Sequence, residues 1–82
     1  MNTDMKVLIV DDYKTMLRII RNLLQQIGFK DITEAADGEE ALEKFNAEDY
    51  GLVISDWNME PMSGYDLLKS IRAGNKNTNV PF

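Results

Sequence analysis

Asp11, Asp12 and Asp56 are the side chains in this sequence best placed to do chemistry. Each follows a short apolar run, Lys6-Val7-Leu8-Ile9-Val10 before the first two and Gly51-Leu52-Val53-Ile54-Ser55 before the third. If both runs are strands of an open α/β sheet, their carboxyl ends form the edge beyond which ligands bind. Neighbouring strands lie ~4.8 Å apart, so adjacency of these two brings the three carboxylates within reach of one cation. Carboxylates that close repel one another unless something positive sits between them. A hard dication meets that need, and Mg²⁺ takes one or two carboxylates together with waters and a phosphate oxygen. A cup with open coordination positions suits phosphoryl transfer onto one of its own aspartates. The competing structural reading is that these aspartates cap the helices that follow. Asp12, just ahead of the first helix, fits a cap equally well. Asp56 fits it less well, since it follows the almost continuously apolar run Gly51 to Ser55 and precedes Trp57.

Other chemistries are excluded by residue type. The 82 residues include no cysteine and no histidine, which removes thiolate nucleophiles, thiolate zinc sites and the commonest general base. No Gly-rich phosphate loop is present, so a nucleotide-binding reading fails. The net charge of −5 disfavours nucleic acid as a partner, because a phosphate backbone requires a basic face. With 28% charged residues and no run approaching ~18 apolar residues, no membrane span is expected. The first residues lack a secretory pattern, and a cytoplasmic protein is the simplest expectation.

The elements that must position the aspartates can be read from periodicity. Lys6–Val10 is an apolar strand of the kind buried on both faces. From Tyr13 to Ile27, Met16, Ile20, Leu23, Leu24 and Ile27 recur at helical spacing and predict the buried stripe, with Gly28 as the left-handed stop. Asp31–Ala35 reads as a strand with one polar face. Asp37 and Glu40 fit the start of a second helix, which buries Ala41, Leu42 and Phe45. Gly51–Ser55 is the third strand. Ser63 and Asp66 resemble a further cap, before a helix that buries Leu67, Leu68 and Ile71. Val80-Pro81-Phe82 reads as the first step into a fourth strand. The order β-α-β-α-β-α with a strand stub predicts a parallel sheet with right-handed crossovers in a single domain.

Taken together, Val7 to Asp12, Ala35 to Ala41, and Val53-Ile54-Ser55-Asp56-Trp57-Asn58-Met59 resemble the receiver domains of response regulators. The last segment, with Ile71-Arg72-Ala73, is closely similar to the single-domain receivers of chemotaxis. The resemblance runs from about Lys6 to Phe82. It implies a flavodoxin-like, doubly wound sheet of order 2-1-3-4-5, in which strands one and three are adjacent. It also implies that Asp56 accepts a phosphoryl group from a phosphohistidine of a sensor histidine kinase. Mg²⁺ would be held by Asp12 directly, by Asp11 largely through water, by Asp56, and by the backbone carbonyl of Asn58. The Asn58 side chain would face the path of the hydrolytic water, and Met59 and Pro61 would shape the loop. The family often places proline two residues after the position of Asn58. Here Glu60 stands there and Pro61 follows, which adds a carboxylate near the site. Lys14 follows the acidic pair, where a solvated lysine is the favoured reading over one that reaches a phosphate. Trp57 should report on metal binding, while Tyr13 and Tyr65 are expected at the surface without a role.

The family's full domain adds two further strands and helices bearing a hydroxyl residue, a lysine and the target-docking face. Residues 1–82 therefore correspond to the N-terminal portion of a single receiver domain, and are expected to bind Mg²⁺ weakly without switching. The full domain would promote its own aspartyl phosphorylation and dephosphorylation rather than act as an enzyme on other substrates. Its expected target is a flagellar motor switch protein or another response partner. An exposed edge at strand three predicts a homodimer or strand-exchanged assembly. A non-signalling half-domain used for folding or assembly shares every motif and stands as the alternative. An aspartate-nucleophile phosphatase ranks lower, because Asn58 occupies the position where that class places a second aspartate.

Overall fold

A computed structural model describes residues 3–74 and 76–82. Strand β1 spans Lys6–Val10, helix α1 Lys14–Ile27, strand β2 Asp31–Ala35, helix α2 Gly38–Ala47, strand β3 Leu52–Ser55 and helix α3 Gly64–Arg72. The strands form a parallel sheet in the order β2-β1-β3, with Val10 paired to Ala35 on one side and Ser55 on the other. This is the α/β arrangement expected from the alternation of elements, and it places strands one and three side by side.

β1 is central, and Val7, Leu8, Ile9 and Val10 are all fully buried. Alternation along the strand divides them between two cores. Leu8 and Val10 face Phe45, Val53, Leu67 and Ile71, beneath α2 and α3. Val7 and Ile9 face Leu17, Leu24 and Phe29, beneath α1. A continuous apolar run is what a strand covered on both faces requires.

The helix boundaries follow local chemistry. The Asp37 side chain accepts from the Glu40 N–H at 2.8 Å, and Glu40 accepts from the Ala36 N–H at 2.6 Å. Ser63 caps α3 by accepting from the Asp66 N–H at 3.0 Å. Gly28 ends α1 at φ +122° and donates to Leu24 and Gln25 carbonyls. A side chain rarely adopts that conformation.

Two expectations change. The stripe predicted for α1 is only partly inward: Leu24 is buried and Ile20 packs partly, but Met16, Leu23 and Ile27 are exposed. Leu17, outside that stripe, supplies the missing contact, because the inward row runs through residues 17, 20 and 24. Asp12 does not cap α1. The N-cap is Tyr13, without a side-chain cap, and the Tyr13 N–H is held by Asp11 Oδ1 at 2.9 Å. β3 is an edge strand, as expected, and the end of the described chain reaches its outer side at one point. Val80 is buried there, and the Val53 N–H donates to the Pro81 carbonyl at 2.9 Å.

Candidate metal centre

Asp11 and Asp56 extend the sheet one residue beyond its strands. The Asp11 N–H donates to the Ala35 carbonyl at 3.2 Å and the Asp56 N–H to the Val10 carbonyl at 2.8 Å. Ladder bonds therefore fix both backbones at the carboxyl edge, directly after the Val10–Ser55 pair. Asp12 follows as the chain turns towards α1. One carboxylate oxygen from each of Asp11, Asp12 and Asp56 lies within 4.8 Å of the others. Asp11 is buried, Asp56 half-buried and Asp12 exposed, which gives the cup a closed floor and an open mouth.

The electrostatics match that shape. Burial raises the Asp11 carboxyl above its ordinary value, the Tyr13 N–H opposes this, and the Asp56 and Asp12 charges push it further up. The donors are all carboxylate oxygens with no nitrogen or sulfur ligand, a set suited to a hard dication such as Mg²⁺ rather than to zinc.

The loop after Asp56 forms the rest of the rim. Gly64 donates its N–H to the Trp57 carbonyl at 3.0 Å. A Cβ at Gly64 would fall onto the Asp56 carbonyl oxygen and 2.9 Å from Trp57 Cα, so only glycine allows this approach. Ser55 Oγ donates to the same Asp56 carbonyl at 2.9 Å. Met59 is buried in the α2–α3 core and anchors the loop, whose Glu60–Pro61 peptide is cis. Asp12, Asn58, Met59, Glu60 and Ser63 line a cavity of about 440 Å³ on the open side of the cup. Asn58 thus lines the same cavity as Asp12. Ser63, read from sequence only as a cap, also lines this cavity.

Lys14 is elsewhere. It lines a separate groove of about 460 Å³ between α1 and the end of β2, together with Arg18 and Arg21. Trp57 is half-exposed and its ring lies 5.6 Å from that of Tyr65, over which Lys69 Nζ sits at 5.0 Å. The i,i+4 spacing of Tyr65 and Lys69 signals that last contact in sequence, but nothing local signals the Trp57–Tyr65 pair.

Comparison with known proteins agrees with this geometry. Residues 7–82 match the family described as the response regulator receiver domain. Chemotaxis protein CheY-3 of Vibrio cholerae is 48% identical over 81 residues, covering 99% of this chain and 62% of that protein. Chemotaxis protein CheY of Pseudomonas aeruginosa is 46% identical over 77 residues, covering 94% and 62%. The chain thus spans about three-fifths of the length of these relatives. Among solved structures, the chemotaxis response regulator CheY4 of Vibrio cholerae superposes with a TM-score of 0.88 at 35% identity, over 95% of this chain and 64% of that one. None of the described helices is long and apolar enough to cross a membrane.

Proposed function

The chain belongs to the response regulator receiver family, and from that premise we propose that it receives a phosphoryl group on Asp56 in two-component signalling, in the chemotaxis branch. The observation that carries this reading is the convergence of the Asp11, Asp12 and Asp56 oxygens within 4.8 Å at the carboxyl edge of the sheet. Asp56 is the nucleophile in this reading because the segment Val53 to Met59 resembles the family's acceptor segment; the ladder bond to Val10 and the close approach of Gly64 hold its backbone in place. One of its carboxylate oxygens forms a bond to the phosphorus of a kinase phosphohistidine. The N–P bond breaks, and the imidazole nitrogen keeps the electron pair. The product is an acyl phosphate on Asp56. Mg²⁺, when bound, neutralises charge on the transferring group.

Asp12 would hold that cation directly and Asp11 largely through water, together with Asp56 and the Asn58 backbone carbonyl. Asp11, on the floor, also fixes the Tyr13 N–H and so orients the turn that carries Asp12. Asn58 is exposed on the cavity wall, and its side chain would face water approaching the acyl phosphate. The partners are a sensor histidine kinase as donor and, for the whole protein, a flagellar motor switch protein or similar target. The setting is the cytoplasm.

The test is incubation with a small phosphodonor, with and without Mg²⁺, followed by intact-mass measurement. A Mg²⁺-dependent gain of one phosphoryl group, absent from Asp56→Asn, is expected. Phosphorylation that persists in Asp56→Asn would overturn the assignment.

A further inference from the structure

Glu60 stands where the family often has proline, and it is exposed on the open side of the cup. It shares the cavity of about 440 Å³ with Asp12, Asn58, Met59 and Ser63. Its carboxylate is not one of the three whose oxygens converge within 4.8 Å. Among the described residues no lysine or arginine pairs with it. Lys14 lines the other groove, Lys69 lies over Tyr65, and Lys6, Arg21, Lys44 and Lys76 pair with other acids. An uncompensated negative charge therefore faces the same space as the exposed Asp12.

We propose that Glu60 is a specificity-determining residue of the cup, acting through water and space to strengthen divalent-cation binding on its open side. The inference rests on the cation-binding reading of the preceding subsection. Mg²⁺ keeps several of its waters when bound, so a carboxylate outside the ligand set still acts on the hydrated ion. The interaction crosses solvent-exposed space, and its strength is set by ionic strength. A second consequence is selectivity for charge: a fourth carboxylate favours a divalent ion over a monovalent one.

The experiment is a Mg²⁺ titration of the chain followed by Trp57 fluorescence, at about 20 mM and about 500 mM ionic strength, where the screening length is long and then short. The parent is compared with Glu60→Gln and Glu60→Asp. Glu60→Gln should weaken Mg²⁺ binding about two- to five-fold at the lower ionic strength, with the difference nearly gone at the higher. Glu60→Asp should keep most of the parent affinity. Equal affinities of parent and Glu60→Gln at low ionic strength would sink the role of Glu60 and leave the cup intact. Equal weakening at both ionic strengths, or in Glu60→Asp as well, would mark loop damage and equally overturn it. A parent that shows no saturable Mg²⁺ response would instead sink the cation-binding reading itself.

Discussion

Asp11 serves two purposes that conflict without a cation. Its carboxylate ties down the Tyr13 N–H, yet it is buried beside two like charges. Burial comes first among the causes that raise its titration point. Between the ordinary value of 3.8 and the raised folded value, the folded chain holds more protons than the unfolded one, so this group's contribution falls as pH rises. Glu40 has the opposite sign. The Ala36 N–H chiefly lowers it, and its stabilisation is present above 4.5 and lost as pH falls through the folded value. In chelator at neutral pH, Asp11→Asn should raise the thermal midpoint by a few degrees, about 1 kcal/mol, because the amide keeps an acceptor for Tyr13 and sheds the repulsion. It should also abolish the Mg²⁺ response. A lower midpoint would mean that the ionised carboxylate is needed for the turn. Gly64→Ala tests a different constraint, since its Cβ meets backbone and not a flexible side chain. It should cost about 2–3 kcal/mol in denaturant melts and weaken Mg²⁺ binding by displacing Asp56. The three aspartates were legible because polar residues interrupt apolar runs. The demand on Gly64 was not, because it arises from a loop folding back on a residue eight positions earlier.

The edge strand β2 shows how helices protect a sheet. Arg21 of α1 donates from Nη2 to the Ile32 carbonyl at 3.1 Å and from Nε to the Glu34 carboxylate at 2.6 Å. Lys44 of α2 donates to the Glu34 carbonyl at 2.7 Å. Two cations from opposite faces of the sheet thus cap carbonyls of a strand that pairs only with β1 among the strands. Bare edges recruit other chains. The double variant Arg21→Ala/Lys44→Ala should therefore self-associate more than the parent at equal concentration, as read by sedimentation velocity. Unchanged sedimentation would show that the capped carbonyls are not the vulnerable feature. Helix α1 itself marks the limit of periodicity. Ile19, Ile20, Leu23, Leu24 and Ile27 form one apolar arc of roughly 140° at about 100° per residue, wider than the row the sheet buries, so several overlapping rows fit a 3.6 repeat equally well. Only the position of the sheet selects the row through Leu17 and Leu24. Leu17→Ala should cost about 2–4 kcal/mol, whereas Leu23→Ala, at a half-exposed position, should stay within about 0.5 kcal/mol. Comparable losses at both sites would mean that the outer face of α1 is covered in solution.

Across the whole molecule, alternation of apolar strands with helices disclosed the parallel α/β class, but not which strands are neighbours. β1 and β3 are both apolar runs, and nothing in either specifies their adjacency; that came from the resemblance carried by the acidic motifs and is seen in the β2-β1-β3 order. Adjacency is what turns separate strand ends into one cup, and it concentrates three of the chain's fourteen acidic residues at one edge of a molecule of net charge −5. Charge crowding of this kind makes the fold itself responsive to cations. A ligand that binds only the folded state adds about 1.4 kcal/mol at a tenfold excess over its Kd. For a domain of this size that corresponds to a rise of roughly 6–11 °C in the thermal midpoint. Mg²⁺ should produce such a rise in the parent, and chelator should reverse it. General screening of the net charge would also stabilise the fold, so the comparison must be made against KCl at matched ionic strength. An equal rise in KCl would assign the effect to screening alone. A Mg²⁺-specific rise that disappears in Asp12→Ala, with KCl nearly without effect, would place the stabilisation in the cup. Asp12 is the right probe because it is exposed and does not cap α1, so its removal breaks no capping bond, and the comparison is the Mg²⁺-dependent rise within each variant and not the absolute midpoints.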